Sequence, residues 1–213
     1  MERIQPGPAE AIIGIYQRHA GAWDRARSRA LDERPWLNRF ADLLPQRAHV
    51  LDIGCGGGEP LARHLIERGY RLTGVDSSPP LVETCRDRFP DQEWIVGDMR
   101  DLSLGRQFDG LLVWDSFFHL APDDQRRMFP IFRRHAAPGA ALLFTSGPAQ
   151  GEAIGSFEGE PLYHGSLDAD EYRDLLDRNG FAVVAHAVED PECGHHTIWL
   201  ARMQDVASSA AAL

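Results

Sequence analysis

The stretch VLDIGCGGGEP, residues 50–60, sets an acid, Asp52, just ahead of four glycines, Gly54, Gly56, Gly57 and Gly58. Glycine reaches backbone conformations closed to other residues and removes the Cβ that would hold a ligand off the chain. That much freedom directly after an apolar run points to a close approach by some other group. A dinucleotide turn, G-x-G-x-x-G, would need its third glycine at position 59 or 61, where Glu59 and Leu61 stand, and a P-loop would need a lysine that this stretch lacks. Glu59 near a helix N-terminus would also repel a pyrophosphate. A ligand with a positive centre suits these residues better than a phosphate does. Two histidines have the chemistry of a general base, since histidine titrates near neutrality. His119 closes FDGLLVWDSFFHL and His164 lies in EPLYHGSL. Each has a plain alternative: His119 as a cap on the helix that follows, His164 as a surface loop residue. Phe117, Phe118, Phe157 and Tyr163 can wall an apolar pocket around them. Cys193, His195 and His196 form a C-x-H-H pattern with no matching second pair, so no metal site is expected.

These residues need elements to hold them. Apolar runs over His49–Cys55, Tyr70–Asp76, Glu93–Met99, Phe108–Ser116 and Ala140–Thr145 read as buried strands. Helical patterns alternate with them at Glu59–Arg68, Ser78–Phe89 and Asp123–Ala136. A further helix over Asp168–Asn179 starts with a capping-box spacing from Asp168 to Glu171 and closes at Gly180. Phe181–Val188 and His195–Ala201 read as a closing antiparallel hairpin. Alternating strand and helix imposes an α/β fold: a doubly wound, mostly parallel, seven-stranded sheet. Pro8–Leu44 reads as helical in two pieces broken near Asp32–Pro35. Gly147–Ser166 reads as an irregular insertion after the fifth strand. The expected layout is one domain: helical segment 1–48, sheet domain 49–204 with the insertion at 147–166, and a flexible tail at 205–213.

Composition narrows the function classes. The formal charge of -10 argues against a nucleic-acid partner, which asks for a basic face. No apolar run approaches the ~18 residues a membrane helix needs. Met1–Glu10 has two prolines and no apolar core of a secretory signal. Three widely spaced cysteines do not make a disulfide framework. A cytoplasmic protein is expected.

VLDIGCGGG resembles the first motif of class I S-adenosylmethionine-dependent methyltransferases, and the resemblance continues in order over most of the chain. It implies S-adenosyl-L-methionine as cofactor, with Gly54 and Gly56 against it and Asp52 near its amino group. LTGVDSS implies Asp76, with Ser77 beside it, on the ribose hydroxyls. VGDMRDL implies Asp98 on the adenine amino group and the Met99 amide on a ring nitrogen. FDGLLVWDSFFHL is similar to the fourth-strand motif and implies Trp114 at the methionyl part. YQRHAGAWDRAR resembles a lid pattern found in smaller members, with Tyr16 over the cofactor and Arg27 on the methionyl carboxylate. The implied activity is methyl transfer to an O, N, S or C atom of a small molecule. The rivals are a nicotinamide-dependent oxidoreductase and a non-catalytic S-adenosylmethionine-binding protein.

Overall fold

The computed structural model describes residues 7–205. In chain order the elements are α1 (Pro8–Arg18), α2 (Ala20–Ala26), α3 (Arg34–Ala41), β1 (His49–Ile53), α4 (Leu61–Glu67), β2 (Arg71–Asp76), α5 (Pro79–Arg88), β3 (Glu93–Val96), β4 (Phe108–Val113), α6 (Pro122–His135), β5 (Ala136–Ser146), β6 (Gly151–Phe157), β7 (Glu160–Ser166), α7 (Ala169–Arg178), β8 (Phe181–Asp190) and β9 (His196–Met203). Seven strands form one sheet in the order β3-β2-β1-β4-β5-β9-β8. Pairings from β3 through β5 are parallel, and β9 runs antiparallel to both its neighbours. This is the doubly wound α/β sheet with a closing antiparallel hairpin that the alternation of elements predicts.

The two-residue period of each strand sorts its apolar side chains to the two faces. Leu51, Ile53, Leu111, Val113, Leu142, Phe144 and Trp199 pack with Phe129 and Phe132 of α6 and Tyr172 and Leu176 of α7. Val50, Leu112, Leu143, Ile198 and Leu200 pack on the other face with Trp36 and Phe40 of α3, Leu65 of α4 and Val82 of α5. Because both faces are covered, the strands read as continuous apolar runs rather than alternating ones. Deleting one of these aromatic rings, Phe129 for example, would leave a cavity costing about 3–5 kcal/mol.

Two expectations are corrected. Residues 147–166 are not irregular: β6 and β7 pair antiparallel from Gly151↔Ser166 to Phe157↔Glu160. Their turn is Glu158–Gly159, both at positive φ (51° and 79°), the two-residue geometry that matches strand twist. β6 is exposed along nearly its whole length, so it carries no apolar alternation to reveal it. The N-terminal segment forms three helices rather than two, with an added break at His19 (φ −109°, ψ 20°). Asp168 caps α7 as expected, but its side chain accepts from the Asp170 amide. The expected tail lies, from residue 206 on, outside the described residues.

Candidate active site

Parallel strands share one carboxyl edge, and ligands settle there where the strand order reverses, here between β1 and β4. Four loops meet at that point: 54–60 after β1, 77–78 after β2, 97–101 after β3 and 114–119 after β4. Gly54 has φ +78°, and a Cβ built on it would lie 2.2 Å from the Ser116 Cβ. Ser116 is itself fixed by donating its hydroxyl to the Ile53 carbonyl at 2.8 Å. The first and fourth loops therefore touch only because position 54 has no side chain. Gly56, at φ +53°, donates its amide to Asp76 Oδ2 at 2.9 Å. Asp76 Oδ1 accepts from the Ser78 amide at 2.8 Å. One carboxylate thus ties the glycine loop to the start of α5. Burial raises the pKa of Asp76, and the two amide donors oppose that shift.

A cavity of about 190 Å³ opens over these loops, roofed by α1 through Ile12, Ile13 and Tyr16. Of the residues expected in the site, Tyr16, Gly54, Gly56, Asp76, Ser77, Asp98, Met99 and His119 line it. Arg27 and Trp114 line a smaller adjoining cavity that shares Trp23, Gly54, Gly56 and Asp115 with the first. Asp52 lines neither. It is buried behind the glycine loop, where desolvation, with the nearby Asp76 charge adding to it, lifts its pKa to about 7. His164 lines a third cavity, under the β6–β7 hairpin, together with Phe118. Its ring centre is 4.8 Å from that of His119, which stands between the two spaces.

Three side chains have partners that the sequence did not suggest. His119 is buried, with Nδ1 2.7 Å from the Tyr163 carbonyl and Nε2 2.9 Å from the Tyr16 hydroxyl. A carbonyl only accepts, so Nδ1 carries the proton and Nε2 receives the tyrosine O–H. Burial holds the His119 pKa down to about 4. His119, expected as a candidate base or as a structural cap, is a neutral ring with both nitrogens engaged. Arg27 pairs at 2.6 Å with Glu33, a buried acid, and its guanidinium lies 3.9 Å from Asp115. Asp98 accepts a fork from Arg100, two residues on, as well as the Arg100 amide. Burial raises the Asp98 pKa, and the Arg100 bonds outweigh it, so the net shift is downward.

Other contributors come from distant elements. Phe157, at the tip of the hairpin, stacks on Tyr16 at 6.2 Å and meets Trp23 edge-on at 5.8 Å. Glu160 accepts from Arg18 and His19, clasping the hairpin to the first helices. Arg88 of α5 donates to both oxygens of Asp24 and to the Gly57 carbonyl, clasping α2 to the glycine loop. Of the remaining aromatics, Phe117 is fully buried core and Tyr163 contributes its backbone carbonyl. His196, read from the sequence as one end of an incomplete metal pattern, reaches Asp115 at 2.8 Å. Among the described residues no cluster of three or more metal-ligating side chains occurs. The sequence marked His196 but not its partner, and it did not mark Arg100. Arg100 meets Asp98 locally, whereas the pairing of His196 with Asp115 is set by the fold.

Residues 50–139 match the family profile described as a methyltransferase domain. A curated relative from Saccharopolyspora spinosa, a dTDP-4-amino-2,3,4,6-tetradeoxy-D-glucose N,N-dimethyltransferase, is 29% identical over 150 residues, 67% of this chain and 60% of its own length. Magnesium-protoporphyrin O-methyltransferase of Rhodobacter capsulatus is 36% identical over 118 residues, covering 53% of this chain and 50% of the relative. The chain thus spans about half to three-fifths of these relatives' length. Among solved structures, a Burkholderia thailandensis 1,6-didemethyltoxoflavin-N1-methyltransferase, with bound 1,6-didemethyltoxoflavin and S-adenosylhomocysteine, superposes with a TM-score of 0.73 at 20% identity, over 96% of this chain and 94% of that one. That likeness is one of fold. The glycine loop and strand-end acids fall inside the segment that matches the methyltransferase-domain profile, and the chain shares the fold of that solved methyltransferase.

Proposed function

We propose that this chain binds S-adenosyl-L-methionine and moves its methyl group to a small-molecule acceptor by in-line displacement. The observation that carries the reading is the Gly54–Gly56 cradle locked to Asp76 and open to the cavity, a surface without side chains beside a half-buried acid. The residues present fit the cofactor. Asp76, Asp98, Asp115 and Asp124 around the cavity, against Arg100, make an acidic lining for a cation. The cofactor, when bound, supplies the electrophilic methyl group, so the protein's work is alignment and exclusion of water.

The roles follow from placement. Residues 7–48 act as a lid, closed by the Glu160 and Arg88 clasps, and 49–204 as the catalytic sheet domain with 147–166 on the acceptor side. Gly54, Gly56, Asp76, Ser77, Asp98 and Met99 hold the nucleoside part. Arg27 and Trp114 hold the methionyl part, and Asp52 backs the loop. Tyr16 faces the reacting centre, and His119 takes the Tyr16 proton in a hydrogen bond so that the phenol oxygen lone pairs are directed away from the ring. Protonating a group with pKa near 4 at neutral pH would cost about 4 kcal/mol, so His119 orients rather than abstracts. His164 and Phe118 wall the acceptor side, with His164 the remaining candidate base. Three free cysteines suit a reducing compartment, and we place the protein in the cytoplasm.

Calorimetry with S-adenosylhomocysteine and with NADH, followed by product assays on a panel of phenols, amines and thiols, tests this reading. Binding of the nucleoside thioether and methylated product are expected. Nicotinamide binding alone would overturn the assignment, and cofactor binding with no product across a broad panel would favour a binding protein.

A further inference from the structure

His196 sits on the last strand, far from the glycine loop in sequence, yet reaches the small cavity through Asp115. Its Nδ1 lies 2.7 Å from the Cys193 carbonyl and its Nε2 2.8 Å from Asp115 Oδ1. A carbonyl and a carboxylate are both acceptors. A neutral imidazole has one N–H and one bare lone pair, so it would set that lone pair against one of them. Only the imidazolium satisfies both contacts. Its direction of titration agrees: the Asp115 carboxylate raises the His196 pKa against the opposing effect of burial.

The charged groups around it explain what the cation does. Asp115 follows β4, Glu33 precedes α3, Asp190 pairs with His196 across β8–β9, and Arg27 is the other cation. Asp190 is already engaged by the Trp36 indole and the Glu192 amide. Asp115 is held at φ +49° with its amide donating to Thr145 Oγ1 at 2.9 Å. With His196 charged, Asp115 is neutralised from behind and Arg27 stays with Glu33, 3.9 Å away from Asp115. Without that charge Arg27 is the nearest remaining cation to Asp115.

Unsatisfied atoms mark what the cavity takes. His196 holds Asp115 Oδ1 at 2.8 Å, while Asp115 Oδ2 accepts no hydrogen bond among the described residues and lies 3.9 Å from Arg27. The Trp114 indole N–H is buried without an acceptor. The Asp115 carboxylate, together with Glu33 Oε2, which is also buried without a donor, suits an ammonium, and the Trp114 N–H and Arg27 suit a carboxylate on the same ligand.

We propose that His196, as an imidazolium, is a positioning residue that holds Asp115 ready for the α-ammonium group of the ligand and keeps Arg27 available for its carboxylate. This rests on the cofactor reading above. The test compares S-adenosylhomocysteine with 5′-methylthioadenosine, which lacks the amino-acid end, on wild type, His196→Leu and His196→Gln. His196→Leu is expected to weaken S-adenosylhomocysteine about 10- to 100-fold, the loss expected for charged hydrogen bonds, and to leave 5′-methylthioadenosine within about twofold. His196→Gln, which restores a donor without the charge, is expected to recover part of the loss, and it carries the test if the leucine variant does not fold. Equal loss for both ligands, or unchanged S-adenosylhomocysteine affinity in both variants, overturns the role of His196. Failure of both ligands to bind wild type overturns the cofactor reading and this inference with it.

Discussion

The Tyr16 hydroxyl donates to Nε2 of His119 at 2.9 Å, joining a residue of the first helix to one that follows the fourth strand, 103 positions away. Because the Tyr163 carbonyl fixes the other nitrogen, this bond has a defined direction. Tyr16 keeps its proton, since burial and the charges of Asp115 and Asp76 push its pKa well above the ordinary phenol value. Tyr16→Phe and His119→Ala are each expected to lower turnover by about 10- to 100-fold, the worth of a buried hydrogen bond left unmade. The double variant should be little worse than either single one, because the two act as one unit. Strict additivity in turnover measurements would separate them.

The pH profile of turnover gives an independent reading of the same pair. With the His119 pKa near 4, its titration contributes no limb between about pH 5.5 and 8. His119→Ala should therefore lower the profile without changing its shape in that range. A limb near pH 6.5 that vanishes in the variant would mean that His119 titrates as a base.

Asp76 carries two backbone amides and faces the cavity. Asp76→Ala is expected to weaken cofactor binding by about 1–3 kcal/mol and to cost stability of similar size by orphaning those amides. Gly54→Ala should be harsher than an ordinary glycine substitution. It adds about 1–2 kcal/mol of left-handed backbone strain to the clash with Ser116. Calorimetry and denaturant midpoints read the two effects separately.

Asp52 shows the upward shift that burial without a compensating cation gives a carboxyl group. Its folded pKa of about 7 lies above the ordinary 3.8, so the folded state favours the protonated acid. A raised carboxylate destabilises once ionised, and stability is lost as pH rises from about 4 to about 7. Asp52→Asn removes that penalty. In the ligand-free protein its unfolding free energy should match wild type near pH 4 and exceed it at pH 8 by up to about 4 kcal/mol on linkage arithmetic, read from denaturant midpoints. A variant less stable than wild type at pH 8 would show that the charge is compensated.

His196 works the other way. Its pKa is raised above 6.5 by Asp115, so its stabilisation is fully present below pH 6.5 and fades as pH climbs through the folded value. The chain has no lysine, and its arginines stay charged throughout this range. The stability gap between wild type and His196→Gln should therefore narrow above neutrality. Thermal melts from pH 6 to 9 measure it, and a constant gap would contradict the imidazolium assignment.

The sheet and half of the site were legible in the chain itself. Apolar runs of strand length, separated by helical periods and closed by glycine, leave few ways to fold except a doubly wound sheet. Asp76, Asp98, Gly54 and Gly56 then fall on one edge because each follows the end of its strand. Their type and place are local properties, and local properties are what a sequence displays. The hairpin at β6–β7 escaped because an exposed two-stranded ribbon has no buried face to impose alternation. The pairs Tyr16–His119, Arg27–Glu33 and His196–Asp115 were decided only by the tertiary structure. A hydrogen bond or ion pair needs two groups within about 3 Å with compatible protons, and which distant groups meet depends on how helices and strands pack. The sequence determined where the glycine loop and the strand-end acids come together. The packed structure decided which histidine is neutral, which is charged, and what each can do there.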